Sequence, residues 1–223
     1  MEISTSVLNV KEENAIETFY RLEVAHTDYY HIDVMDGKFV DNNTEDLMRE
    51  YADNLKNITN IPLDVHLMVE NVKEFVDIFA STSPKNITFH IEKNNKSEIR
   101  DKEEILNLIK YIKDQNTMVS IAINPETDIK EVYEYLPLIH NVLIMSVHPG
   151  KGGQKFIEET IDKIEELTKY IKENNLENEI EVDGGINNEN IEKLKELGVN
   201  ISVVGSYLIN SKDYKYEIDR LKK

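Results

Sequence analysis

The sequence predicts an α/β fold of one domain, residues 1–223, in which eight parallel strands close into a (β/α)8 barrel. Short apolar runs of β type alternate with amphipathic helical runs along the whole chain, and eight such units are present. Eight is also the number of strands that closes a parallel barrel of this class. No linker or low-complexity segment interrupts the alternation, and 223 residues with 40% hydrophobic side chains are enough for a large core.

The individual elements follow from the spacing of apolar residues, which has a period of two in strands and 3.6 in helices. Helix starts are expected at Thr44, at Asp128, and at Asn187 or Asn188, because these side chains can accept a hydrogen bond from a first-turn N–H. The predicted strands are 3–9, 29–35, 61–68, 85–91, 117–123, 141–147, 179–183 and 201–205. The predicted helices lie near 12–24, 45–56, 72–80, 101–115, 128–136, 155–173, 188–197 and 213–222.

Three of these strands end in residues that can bind a metal or move a proton. Alternation along the second strand places His31, Asp33 and Met35 on one face, with Ile32 and Val34 on the other. The third strand repeats the device, with Asp64, His66 and Met68 sharing a face, and the seventh ends at Asp183 before two glycines. Two histidines and two aspartates at matching strand ends indicate a metal site or an acid–base pair.

Composition limits the chemistry. The chain has no cysteine, which excludes disulfides and thiolate chemistry and leaves nitrogen and oxygen ligands for any metal. A formal charge of −17 argues against nucleic acid or anionic lipid as a partner. The first residues lack a basic region and an apolar run, and no apolar stretch approaches the length of a membrane span. We therefore expect a cytoplasmic protein with no membrane partner.

The eight glycines are concentrated at one end of the predicted barrel. Gly198 falls where the seventh helix should end, and the other seven lie at or just after the ends of strands 2, 6, 7 and 8. Barrels of this class often bind phosphate through loops after strands 7 and 8, where backbone N–H groups hold the anion without a cluster of arginines. Six glycines follow strands 6 to 8 and predict a phosphate site: Gly150, Gly152, Gly153, Gly184, Gly185 and Gly205.

Taken together, these motifs resemble the ribulose-phosphate 3-epimerase family over nearly the full chain. The matching stretches are Ser6–Leu8, His31–Val40 (HIDVMDGKFV), Asp64–Val69 (DVHLMV), Asn124–Thr127 (NPET), Met145–Phe156 (MSVHPGKGGQKF), Glu181–Ile186 (EVDGGI) and Gly205-Ser206. The resemblance implies a TIM barrel in the pentose phosphate pathway and a homo-oligomer. It also implies one divalent metal ion bound by His31, Asp33, His66 and Asp183, with Asp33 and Asp183 as the two proton-transfer groups.

The resemblance further implies which residues meet a small sugar-phosphate substrate. Met35, Met68 and Met145 would line the pocket around the reacting carbons, although periodicity alone makes them ordinary core residues. The implied substrate contacts are Ser6, His66, Gly150, Lys151, Gly152, Gly153, Asp183, Gly184, Gly185, Gly205 and Ser206.

The implied reaction accounts for the residue types. Inversion of a carbon beside a ketone requires one group on each face, and each group must be able to act as acid or base. A metal on the substrate oxygens would stabilise the enediolate, and Zn²⁺, Fe²⁺, Mn²⁺ or Co²⁺ all suit two His and two Asp. No organic cofactor is expected, because Gly-Lys-Gly-Gly lacks the GxGxxG spacing of a dinucleotide site.

The substrate remains open between D-ribulose 5-phosphate, interconverted with D-xylulose 5-phosphate, and a six-carbon ketose phosphate such as D-allulose 6-phosphate. Gly185, where serine is expected in the hexulose branch, favours ribulose. A lyase or a non-catalytic sugar-phosphate-binding barrel is a third possibility, but no predicted strand core carries a lysine and both aspartates are present. Asn9, Asp41 and Lys151 depart from the family pattern. His26, His90, His140 and His148 have no motif support as ligands and are predicted to be structural or surface residues.

Overall fold

The computed structural model, which describes residues 1–94 and 98–223, is a closed barrel of eight parallel strands. Each strand pairs with the next along the chain, and the last pairs with the first, so the predicted (β/α)8 fold is confirmed. The strands are β1 Glu2–Ser6, β2 Tyr29–Met35, β3 Leu63–Met68, β4 Asn86–His90, β5 Met118–Ile123, β6 Asn141–Met145, β7 Glu179–Asp183 and β8 Ile201–Val204.

Amphipathic helices cover the barrel. In the second helix the buried residues Met48, Tyr51, Ala52 and Leu55 recur at helical spacing and face the strands. Within the two described ranges no helix has the length and apolar character that crossing a bilayer requires. The α-helices are α1 Ala15–Val24, α2 Glu45–Ile58, α3 Val72–Ala80, α4 Lys102–Lys113, α5 Thr160–Glu173, α6 Ile191–Glu196, α7 Ser206–Ile209 and α8 Tyr214–Lys222.

The element between β5 and β6 differs from the prediction. It is a 3₁₀ segment, Ile129–Leu138, rather than an α-helix, and Pro137 lies inside it without an N–H to donate. The Asp128 side chain caps this segment by accepting the Lys130 N–H at 3.0 Å, as expected. The short helix α7, directly after β8, was not predicted because four residues are too few to show a helical period.

Two helix starts also differ. Thr44 occupies the position before α2, but its hydroxyl donates to the Asp33 carbonyl at 2.7 Å and accepts the Met35 N–H at 3.0 Å. The side chain that was predicted to cap a helix therefore fixes the end of β2. Helix α6 begins at Ile191, a few residues after the predicted start, because Asn187 accepts the Glu189 N–H in a preceding turn.

The strand register places the polar side chains of β2 and β3 in common layers inside the barrel. His31 pairs with Asp64, Asp33 with His66, and Met35 with Met68, whereas Ile32 and Val34 belong to the large core shared with the helices. The lower layer is hydrogen-bonded rather than apolar, with Ser4 donating to Asp64 at 2.9 Å, Asn86 to Asp64 at 3.2 Å and Asn141 to Glu181 at 2.8 Å. The upper layer opens toward the carboxyl ends of the strands.

Candidate active site

Four side chains meet at the carboxyl ends of β2, β3 and β7. One nitrogen or oxygen from each of His31, Asp33, His66 and Asp183 lies within 4.8 Å of the others. Asp33 Oδ1 is 3.4 Å from both His31 Nε2 and His66 Nδ1. Asp183 Oδ2 lies 3.9 Å from His31 Nε2 and 3.7 Å from His66 Nδ1. The four residues that the sequence selected from distant segments therefore form one cluster.

This cluster fits a divalent cation. His31 Nε2 and His66 Nδ1 are fully buried and lack a hydrogen-bond partner among the described residues. A buried ring nitrogen without a partner is costly, and here two of them face two carboxylate oxygens. Two imidazoles and two carboxylates form a donor set that Zn²⁺, Fe²⁺, Mn²⁺ and Co²⁺ accept.

A cavity of about 510 Å³ opens over the cluster, and its wall combines methionines with glycine-rich loops. His31 and His66 lie behind this wall, whereas Asp33 and Asp183 reach it. Every other predicted pocket or substrate residue lines the cavity: Ser6, Met35, Met68, Met145, Gly150, Lys151, Gly152, Gly153, Gly184, Gly185, Gly205 and Ser206. The methionines thus form an apolar part of the wall, and the glycine-rich loops form a part without large side chains.

The backbone after β7 approaches its neighbours so closely that side chains are excluded. Gly185 has φ +66°, and a Cβ there would lie 2.8 Å from the Phe156 Cα. At Gly184 a Cβ would lie 2.7 Å from Val147 Cγ1. Ser146 holds this segment in place, because its hydroxyl donates to the Gly184 carbonyl at 2.7 Å and its N–H donates to the Asp183 carbonyl at 2.8 Å.

Comparisons with known proteins identify the family of the chain. The model of the ribulose-phosphate 3 epimerase family matches residues 2–209. The chain belongs to the ribulose-phosphate 3-epimerase family. It is an epimerase, an enzyme of the isomerase class.

Named relatives cover almost the whole epimerase chain. A ribulose-phosphate 3-epimerase of Helicobacter pylori strain J99 is 39% identical over 198 residues, which are 89% of this chain and 87% of the relative. The Methanocaldococcus jannaschii relative of the same name is 35% identical over 222 residues, covering 100% and 90%. The Escherichia coli K12 relative is 33% identical over 224 residues, covering 99% and 94%.

Solved structures of low sequence identity share the fold of the epimerase. A 3-hexulose-6-phosphate synthase from Salmonella typhimurium has a TM-score of 0.70 at 14% identity, covering 99% of this chain and 96% of that one. KGPDC from Streptococcus mutans has a TM-score of 0.72 at 9% identity, with coverage of 99% and 95%. At such identities the likeness extends to the barrel alone.

The two aspartates of the epimerase site differ in proton affinity. Burial favours the neutral form of Asp33, but His31 and His66 beside it outweigh burial and hold its pKa well below the usual range. Burial and the negative charge of Asp33 raise the pKa of Asp183 to about 7. Burial also opposes a charge on His31, yet Asp33 and Asp64 raise its pKa well above the usual value. Asp33 is therefore ionised at neutral pH, whereas Asp183 holds a proton more readily than an ordinary aspartate.

Several residues that support the epimerase site were not predicted. Asp64 Oδ2 is 2.7 Å from His31 Nδ1, so the outer nitrogen of this imidazole is hydrogen-bonded while Nε2 faces the cluster. The outer nitrogen of His66 contacts His90, which was predicted to be a structural or surface residue and is buried beside the site. Sequence alternation placed Asp64 on the face of His66, but its contact with His31 depends on strand register.

Four further residues discussed in the sequence analysis lie around the cavity. Ser6 donates its hydroxyl proton to Asp33 Oδ2 at 2.7 Å, so one oxygen of this carboxylate faces the histidines and the other faces a hydroxyl. Asn9 packs against the loop after β6, where a Cβ on Gly152 would be 3.0 Å from its Oδ1. Lys151 is exposed at the cavity rim. His148 is also exposed, and its Nδ1 lies 3.3 Å from Glu126 Oε1.

Proposed function

We propose that this epimerase interconverts D-ribulose 5-phosphate and D-xylulose 5-phosphate by 1,1-proton transfer at C3 through an enediolate. The observation that carries the proposal is the pair Asp33 and Asp183, two carboxylates of different proton affinity that reach one cavity beside two buried imidazoles. Such a pair supplies the two acid–base groups that inversion of a carbon next to a ketone requires.

The two carboxylates would share the proton transfers. Asp33, ionised and oriented by the Ser6 hydroxyl, would take the C3 proton from ribulose 5-phosphate. Burial and the negative charge of Asp33 raise the pKa of Asp183, so Asp183 is the carboxylate of the pair that holds a proton more readily and would deliver it to the other face. The reverse reaction would exchange these roles.

His31, Asp33, His66 and Asp183 would hold one divalent ion, because their donor atoms converge and two of the nitrogens lack another partner. When bound, the ion would polarise the substrate carbonyl and stabilise the negative charge that develops as the proton leaves. The ion would also favour the ionised form of both carboxylates. Asp64 and Thr44 would keep their neighbours in position, since one contacts His31 Nδ1 and the other binds the Asp33 carbonyl.

The phosphate would lie against the loops after β6, β7 and β8. The glycines of these loops line the cavity and place no side chain between a bound anion and the backbone. Backbone N–H groups can bind a dianion, so a protein of formal charge −17 needs no cluster of basic side chains for this purpose. Lys151 at the rim would add one mobile cation. Gly185 also supports the five-carbon substrate, because its left-handed backbone and its closeness to Phe156 leave no space for the serine expected in the hexulose branch.

A coupled assay that compares purified ketose phosphates tests this proposal. Ribulose 5-phosphate should be epimerised with a kcat/KM at least about tenfold above that of allulose 6-phosphate, a difference of about 1.4 kcal/mol in transition-state binding. A preference for the six-carbon sugar would assign the chain to hexulose epimerisation. Binding of both sugars without turnover by metal-loaded protein would overturn the epimerase mechanism.

A further inference from the structure

A line of buried hydrogen bonds leads away from the metal-facing histidine on β3. His66 Nε2 is 2.9 Å from His90 Nε2, and His90 Nδ1 is 3.1 Å from Glu92 Oε2. His66 and Glu92 are 0% exposed and His90 is 1% exposed. The planes of the two imidazole rings differ by 24° and their centroids are 5.0 Å apart, so the rings meet edge to edge through Nε2. None of these three residues lines the cavity.

Glu92, at the far end of this line, determines which atom donates in each of its hydrogen bonds. Glu92 Oε1 accepts the Asn124 N–H at 2.9 Å and also the Thr127 hydroxyl, so this carboxylate has donors on both of its oxygens. The donor facing Oε2 is His90 Nδ1, which therefore carries the proton of that ring. His90 Nε2 is then an acceptor, and the proton between the two histidines lies on His66 Nε2. A neutral imidazole has one N–H, so His66 Nδ1 is left with its lone pair directed at Asp33 and Asp183.

We propose that Glu92 and His90 are positioning residues that fix the tautomer of His66, so that Nδ1 presents its lone pair to the metal. This inference rests on the proposed metal site. It gives a role to the segment Asn124–Thr127, two of whose residues hold Glu92 in the required orientation. Hydrogen bonds of this kind to the outer nitrogen of a ligand histidine commonly change metal affinity by about 10- to 100-fold when they are lost.

The substitution Glu92→Gln exchanges the donor and the acceptor in each hydrogen bond of this line, while the side chain keeps its size and shape. The amide oxygen of the new side chain should take the place of Oε1, because two donors, from Asn124 and Thr127, meet it there. The amide NH₂ then faces His90 Nδ1, which must become an acceptor. His90 Nε2 becomes the donor, His66 Nε2 the acceptor, and the proton of His66 moves to Nδ1, where the metal needs a lone pair.

A second substitution keeps the direction of donation without an imidazole at position 90. In His90→Gln the amide oxygen can occupy the place of Nε2 and accept the His66 N–H, while its NH₂ donates to Glu92 Oε2. In the double variant Glu92→Gln with His90→Gln, the NH₂ at position 92 donates to the amide oxygen at position 90, so the NH₂ at position 90 faces His66 Nε2 and the proton of His66 again lies on Nδ1. His90→Gln and the double variant therefore separate the tautomer of His66 from loss of the His90 ring. Glu126→Gln is a matched control, because it removes a carboxylate that is 56% exposed from the same loop.

The test measures Zn²⁺ affinity by competition with a chromophoric chelator, and the ¹⁵N shifts of the His66 ring in metal-free protein. We expect Glu92→Gln and the double variant to lose about 10- to 100-fold in affinity, and His90→Gln and Glu126→Gln to stay within about threefold of the native value. The native ¹⁵N spectrum should show His66 protonated at Nε2, and Glu92→Gln should show it protonated at Nδ1.

A native His66 protonated at Nδ1, or a Glu92→Gln variant with native affinity, overturns the proposal. A His90→Gln variant as weak as Glu92→Gln also overturns it, since loss of packing beside His66 would then explain the effect. If the native protein binds no divalent ion, the proposed function fails, and the ring shifts of metal-free protein still decide whether Glu92 and His90 set the tautomer. Where Glu92→Gln does not fold, the native spectrum and the metal affinity of His90→Gln decide between the two outcomes.

Discussion

The substitution Gly185→Ala tests whether close approach of backbone builds the phosphate end of the site. An alanine at φ +66° costs about 1–2 kcal/mol in backbone strain. Its Cβ would also lie 2.8 Å from the Phe156 Cα, and overpacking of this kind costs about 1–3 kcal/mol more. The free energy of unfolding should therefore fall by about 2–5 kcal/mol. If the strain is relieved by moving the loop, one charge-assisted hydrogen bond to phosphate is lost, which raises KM about tenfold or more.

Gly198→Ala is the matched control. Gly198 also has a positive φ, +87°, but it lies at the end of α6, and its Cβ would be an ordinary 3.5 Å from Thr168 Cγ2. This variant should lose about 1–2 kcal/mol and keep the native KM. Urea unfolding followed by circular dichroism gives the stabilities, and the coupled assay gives KM. If Gly185→Ala is no less stable than Gly198→Ala and binds substrate equally well, the close approach does not shape the site.

Three further predictions concern the metal, its protons and the phosphate. Purified protein should contain about one divalent ion per chain by elemental analysis, His66→Ala should lose it, and chelation should abolish activity while circular dichroism shows the barrel intact. Full activity without detectable metal would contradict the site. The carboxyl of Asp183, with a pKa raised to about 7 by burial and by Asp33, must release its proton to bind the ion, so apparent metal affinity should increase as pH rises toward 7. Asp183→Asn should reduce the slope of this dependence in calorimetric titrations and leave the part that comes from His31, whose raised pKa also requires loss of a proton on binding. An unchanged slope would exclude the Asp183 proton. Unphosphorylated D-ribulose should be turned over far more slowly than its 5-phosphate, whereas equal turnover would refute a phosphate site in the glycine loops.

Local patterns predicted the fold and placed two histidines and two aspartates at matching strand ends, and the family resemblance supplied the set of four proposed ligands. A period of two along β2 places His31 and Asp33 on one face, and parallel strands bring their carboxyl ends to the same edge, so convergence with His66 and Asp183 follows from topology. The positions of the glycines predicted the loops of the phosphate site, because sharp turns and close approach between backbone segments require residues without a side chain.

The supporting contacts could not be predicted, because they join strands through register and side-chain length. The contact between His66 and His90 depends on two neighbouring strands and on the rotamers of both rings. Glu92 is charged and lies just after β4, so it would ordinarily be expected at the surface. It is instead fully buried, and the loop after β5 supplies hydrogen-bond donors to its carboxylate. Thr44 shows the same limit, since a capping residue by sequence serves instead as a tie to the Asp33 carbonyl.

Hydrogen exchange at C3 tests the two-carboxylate mechanism most directly. Asp33→Asn and Asp183→Asn are prepared, their metal content is verified, and each sugar phosphate is incubated in deuterated water while proton NMR follows the C3 hydrogen. Neither variant should epimerise, but Asp183→Asn should exchange the C3 hydrogen of ribulose 5-phosphate alone, and Asp33→Asn that of xylulose 5-phosphate alone. Metal-replete Asp33→Asn that interconverts the sugars at the native rate, or one variant that exchanges both epimers, would contradict the assignment of one carboxylate to each face.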